Sequence, residues 1–153
     1  MRFGIALNLK RLAATQYRNF DFNSMCVFNG VALAAGDSIF SLDGDKDNGT
    51  NIDSHIEFPT TDFGELTAKR FRKLYFGYET SGSLKITTTT DDETTDSSVL
   101  TPKKKRQIQH RGTLSMTRSQ KGVYWGLKIE NQYGCDFSLD NIEGLPVVLT
   151  RGR

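Results

Sequence analysis

The side chains best suited to chemistry are the aspartates of Asp43-Gly-Asp-Lys-Asp-Asn-Gly49. Asp43, Asp45 and Asp47 stand at alternate places, as the first three ligands of a calcium-binding loop do. The sixth place, where such a loop turns sharply on glycine, is Asn48, and the twelfth, which needs a bidentate glutamate, is Ser54. Two ligand oxygens are therefore missing and no helical pattern flanks the loop. The segment reads as an acidic hairpin loop turning at Asn48-Gly49. Asp62-Phe63-Gly64 has the order of the magnesium-binding tripeptide of kinases, but no glycine-rich or catalytic loop accompanies it, so it reads as a turn. His55 and His110 stand in unrelated segments without ligand spacing. Asp91-Asp92-Glu93 lie in a threonine-rich turn, which offers no burial to make an acid catalyst of any of them. No Gly-x-Ser-x-Gly elbow, phosphate loop or dinucleotide glycine pattern occurs. The residues predict a protein that is not an enzyme, with no catalytic residue, cofactor, metal or small-molecule substrate.

Lys103-Lys-Lys-Arg106, with Arg111 nearby, is the segment that could grip a polyanion. It follows Pro102 in a loop and has no neighbouring aromatic platform of the kind single-strand binding uses. The net charge is only +2, so no global field recruits nucleic acid, and nucleic acid is not the expected partner. The charges are unevenly placed. Asp37, Asp43, Asp45, Asp47, Asp53 and Glu57 fall in the first half; Lys69, Arg70, Arg72, Lys73 and Lys103 to Arg106 follow them. That segregation suits contact between copies. Asp43, Asp45, Asp47, Lys103, Lys104, Lys105, Arg106 and Arg111 are the candidate subunit contacts. Tyr75 and Tyr124 alternate with core positions and are candidates for stacking on a sugar, which makes a carbohydrate-binding β-sandwich the alternative function.

The elements that must position these residues are strands. From Val123 the apolar residues fall at every second place, Val123, Trp125, Leu127 and Ile129, the period of a strand with one face buried. Phe137 and Leu139 repeat the pattern after a turn at Asn131 to Gly134, and Val147 and Leu149 give a third run. Trp125, Leu127, Ile129, Phe137, Leu139 and Val147 are the candidate core, and the three runs predict the skeleton of one antiparallel sheet. Upstream, Met25–Phe28 and Val31–Ala35 flank Asn29-Gly30, the strongest short hairpin signal. Further runs are Phe3–Leu9, Ser38–Leu42, Ile52–Phe58 stopped by Pro59, Lys69–Glu79, Leu84–Thr90 after a turn at Ser81-Gly82, and Gly112–Arg118. Helical periodicity is confined to a turn at Leu9–Gln16 or Glu65–Phe71.

Short runs with turn signals at this density predict an all-β fold, a single antiparallel β-sandwich with jelly-roll-like or barrel-like closure as alternatives. At 153 residues one domain over 1–153 is expected, with 1–12 a candidate extended N-terminal arm. No apolar run approaches the ~18 residues a membrane span needs, and the N-terminus lacks the pattern of a signal peptide. Cys26 and Cys135 show no metal or redox spacing; a disulfide is one option, and two buried thiols in a reducing cytoplasm is the expected reading.

Across most of its length the sequence resembles small structural proteins of tailed bacteriophages, from the tail or its distal tip. The likeness is carried by Gly4-Ile-Ala-Leu-Asn8, Tyr17-Arg-Asn-Phe-Asp-Phe-Asn23, Phe28-Asn-Gly30 with Leu33-Ala-Ala35, Asp47-Asn-Gly49, Ile52-Asp53 and Thr61-Asp-Phe-Gly64. It continues in Lys69-Arg70, Tyr75-Phe-Gly-Tyr-Glu-Thr-Ser-Gly82, Gly122-Val-Tyr-Trp125, Asp136-Phe-Ser-Leu-Asp140, Leu145-Pro-Val-Val-Leu149 and Arg151. Such proteins often carry a basic residue just ahead of the Tyr-Trp pair, where this chain has Val123. The resemblance implies a virion component, made and assembled in the bacterial host cytoplasm. It implies several copies in a ring around the tail axis, in contact with other tail proteins.

Overall fold

The structure, a computed structural model, describes residues 3–44 and 46–149. Backbone contacts divide the chain into two compact units, Met1–Gly44 and Asp45–Arg153. Among the described residues the regular elements are all strands and every strand pair is antiparallel. The helical turns expected at Leu9–Gln16 and Glu65–Phe71 are instead a hairpin segment and a loop leading into a strand.

In the first unit, β1 (Phe3–Asn8) pairs with β2 (Ala13–Arg18). The Asn8 side chain closes the turn by accepting from the Lys10 and Arg11 amides at 3.1 and 3.2 Å. In its described part, the segment 1–12 is thus a hairpin strand and its turn. β3 (Ser24–Phe28), β4 (Val31–Ala35) and β5 (Ile39–Ser41) form a meander. Asn29 and Gly30 take φ of 48° and 82°, the left-handed pair that a two-residue hairpin requires. A run of ring contacts, Tyr17 to Phe20 to Phe22 to Phe40 at 5.9, 4.8 and 5.6 Å, substitutes for a broad core. Ala34 is the one buried hydrophobic residue among the described residues of this unit.

The second unit starts with a short hairpin, β6 (Lys46–Asp47) and β7 (Thr50–Asn51), turning on Asn48-Gly49 with φ of 47° and 83°. The acidic loop therefore turns where the sequence predicted. There follow β8 (His55–Thr61), β9 (Lys69–Thr80), β10 (Leu84–Thr90), β11 (Thr95–Leu100), β12 (Ile108–Ser115), β13 (Trp125–Asn131) and β14 (Phe137–Val148). They form a four-stranded sheet in the order β11-β10-β13-β8 and a three-stranded sheet in the order β12-β9-β14. The sheets pack face to face over one core. β9 supplies Phe71, Leu74, Phe76 and Tyr78, and the other sheet supplies Leu84, Ile86, Leu100, Trp125 and Ile129.

Two expectations change. The three C-terminal runs do not share a sheet. β13 and β14 lie in opposite sheets, joined by a corner in which the Asn131 side-chain Nδ2 donates to Ile52 O and Cys135 O at 2.9 and 3.1 Å. β9 and β10 likewise turn a corner, where the Thr80 hydroxyl donates to Asp136 O and accepts from the Gly82 amide. A short polar connection has the same look whether the next strand returns beside its predecessor or crosses to the facing sheet. The second and third runs, for their part, are one strand. Gly144 and Pro146 mark a bulge inside β14, not a turn that ends it. Pro59 is accommodated in the same way: β8 is an edge strand whose register slips between Phe58, opposite Leu127, and Thr61, opposite Trp125.

Of the candidate core, Trp125 and Ile129 are buried, while Leu127, Phe137 and Leu139 pack half-buried against the cluster. Val147 is half-buried outside it, opposite Arg70.

Candidate functional site: an apolar groove on the open side of the sandwich

A sandwich of a three- and a four-stranded sheet closes well only where the sheet edges meet. β11 and β12 approach each other on one side. On the other, β8 and β14 stand apart and leave a groove of about 770 Å³. Phe58 forms one wall and Ile142 and Val148 the other, with Phe71, Leu74 and Trp125 beneath them. Phe71 and Trp125 meet edge to face at 4.9 Å, so the floor of the groove is the core itself. Gly144 keeps the groove wide, since a Cβ there would come within 2.7 Å of the Phe71 ring. Among the described residues, β8 is paired only with β13 and β14 only with β9, so each has an unpaired outer edge.

One end of the groove is fixed by Lys69. This side chain is 2% exposed, and its ammonium donates to Asp62 O and Glu65 O at 2.6 Å each and to Val123 O at 3.0 Å. Three donors meet three carbonyls, which satisfies a lysine that has left water. The bonds tie the Asp62–Glu65 turn to the approach of β13. Within that turn Phe63 and Gly64 take φ of 54° and 74°, and the Asp62 carboxylate accepts from the Gly64 amide at 2.9 Å. Phe63 is held out over the groove mouth, 61% exposed yet 5.4 Å from the Phe71 ring. Glu65 sits beside it. Hydrogen bonds from Thr67, then the nearby Lys69 charge, hold its carboxyl below the usual range, so the mouth carries a fixed negative charge.

The predicted contact residues occupy other surfaces. Asp43 and Asp47 are exposed, and Asp45 lies outside the described residues. Lys103, Lys104, Lys105 and Arg106 are exposed on the loop before β12, and Arg111 is exposed on β12 itself. That loop is anchored: Pro102 is buried, and His110 Nε2 donates to the carbonyls of Thr80 and Arg106 at 3.1 Å each. Among the described residues of the second unit, no salt bridge joins Asp47 to the basic groups. Among the described residues the salt bridges are Lys85–Glu130 at 3.8 Å and Lys128–Glu130 at 2.7 Å. Tyr75 is half-buried on β9, and Tyr124 is 42% exposed in the bend just ahead of β13, a strand of the other sheet. Cys135 is half-buried against Thr80 and Ser83, as expected of a buried thiol, but Cys26 is exposed on edge strand β3 and both are free. Among the described residues no cluster of three or more His, Cys, Asp or Glu side chains is placed to hold a metal ion.

The first unit carries a second unpartnered surface. Phe3, Ile5 and Leu7 project from one face of β1 at 62, 67 and 57% exposure. On the opposite face Phe20 lies directly over Gly4. Among the described residues β1 pairs with β2 alone.

Sequence reasoning missed both the groove and Lys69. The signals were present: a proline in each groove-edge strand, and a lysine opening a strand whose next core residue is Phe71. Family models, curated proteins and solved structures were all searched with the chain, and none of them matches it.

Proposed function

We propose that this protein is a structural component of a bacteriophage tail, at the tail tip, baseplate or neck, that assembles in several copies and bridges adjacent tail proteins. The observation that carries the reading is apolar surface left open where a solitary protein closes it. Phe3, Ile5 and Leu7 line one face of a strand that is paired on one edge alone among the described residues, and a groove reaches the sandwich core between two unpaired edges. Full burial of each such side chain is worth about 1.5–3 kcal/mol, enough to drive association once several are covered together. The sequence resemblance to tail proteins supplies the setting, a virion assembled in the host cytoplasm. The exposed acidic hairpin and the anchored Lys103–Arg106 loop supply charge for contacts with copies and with other tail proteins. No catalytic role is part of this reading.

The test is the mass of the purified chain in solution together with its position in an intact particle. Discrete oligomers, and density for the chain in the tail, are expected. A protein that stays monomeric at high concentration and is absent from the particle overturns the reading.

A further inference from the structure

Resting on that assembly reading, we infer that β1 of one copy docks in the groove between β8 and β14 of the next. The contact joins an exposed apolar strand face to an exposed apolar cleft, and each lacks a partner among the described residues. β1 has what strand addition needs: a free backbone edge, and Phe3, Ile5 and Leu7 on one face at the two-residue spacing that fills successive pockets. The groove has the reciprocal parts, two unpaired edges and an aromatic floor of Phe71 and Trp125.

Charge selects this occupant over a symmetric pairing of β1 with β1. The described hairpin residues carry Lys10, Arg11 and Arg18 and no acidic residue. Two hairpins side by side would therefore set like charges together. The groove lining carries the ionised Glu65, with Asp62 on the same turn, while its one lysine, Lys69, is buried on three carbonyls. A basic strand tip thus meets an acidic mouth. Pro59 in β8 and Pro146 in β14 each remove a backbone donor, which limits the ladder and leaves side-chain insertion as the main source of affinity. A contact between two different surfaces is heterologous, and its repetition gives a ring where the rotation between copies closes and a filament where it does not.

Cross-linking of two variants tests this, each in a Cys26→Ser background. One carries Ile5→Cys and the other Phe58→Cys. Mixed under mild oxidation, they are expected to give a disulfide-linked heterodimer well in excess of either homodimer. In parallel, Lys10→Glu with Arg11→Glu is expected to weaken association roughly three- to tenfold, and Glu65→Lys in the same chain is expected to restore it. Oligomers that persist without the heterodimer, or without any response to the charge reversal, overturn the docking and leave the assembly reading standing. A single chain carrying both cysteines that closes on itself as a monomer also overturns it. A protein monomeric throughout removes both.

Discussion

Lys69 and Trp125 show two kinds of buried residue at the same groove. The Lys69 ammonium is the knot of its loop, because its three acceptors come from two segments on either side of the groove mouth. Lys69→Met keeps the length and apolar stem but leaves three carbonyls unmet. It is expected to cost about 1.5–3 kcal/mol in a denaturant melt and to speed hydrogen exchange at the Phe63 and Gly64 amides ahead of those in β10. Trp125 acts through volume: it packs on Phe71 and donates its indole N–H to Gly122 O at 3.2 Å. Trp125→Ala is expected to cost about 3–5 kcal/mol, read by loss of thermal stability. Trp125 was legible in the sequence because strand alternation alone puts it inside. Lys69 was not, because a lysine among Arg70, Arg72 and Lys73 looks solvated until the carbonyls around it are known.

At the scale of elements, the strands were legible and their partners were not. Alternation and the Asn-Gly turns located β3, β4, β9, β10 and β13 and the acidic hairpin, since these depend on neighbours in sequence. The crossing from β9 to β10, the crossing from β13 to β14 and the length of β14 depend on distant polar bonds and on bulges. No local pattern carries those. β9 lies at the centre of its sheet, and its neighbour β12 comes close to β11 of the facing sheet at Gly112, where a Cβ would approach Leu100 Cδ1 to 2.6 Å. Gly112→Ala is expected to destabilise by about 1–3 kcal/mol through overpacking, measured by chemical denaturation.

The turns and sheet faces also set the response to pH. In the β10–β11 turn the Thr90 hydroxyl, with the Thr94 amide, stabilises the Asp92 carboxylate; on the sheet, Lys128 does the same for Glu130. Both are held below their ordinary values of 3.8 and 4.5, so their contribution is present above those values and is lost as acid protonates the folded form. Burial pushes Tyr78 above its ordinary 10.0, so the unfolded chain ionises first and stability falls as pH rises beyond that point. Melting temperature against pH is expected to drop at both ends. A profile flat from pH 5 down to 2 would contradict the carboxylate assignments.

For the molecule as a whole, the single domain read from length meets a chain whose backbone contacts gather into two units. The first has one buried hydrophobic residue among its described residues and a row of aromatic contacts in place of a core. A unit so lightly packed gains order from whatever covers it. Composition could not reveal this, because Phe3, Ile5 and Leu7 read equally well as a strand's inward face. Replacing Ile5 and Leu7 by Asp is therefore expected to lower the oligomer mass seen by sedimentation and to remove the dependence of the second unit's melt on chain concentration. The aromatic floor of the groove has one more effect. Because Phe71 and Trp125 both hold the sheets together and face the opening, a guest seated there is thermodynamically coupled to unfolding of the host. The protein then acts as its own stabilising ligand, and its denaturation midpoint climbs with dilution reversed, rising by a fixed increment for each tenfold gain in chain concentration.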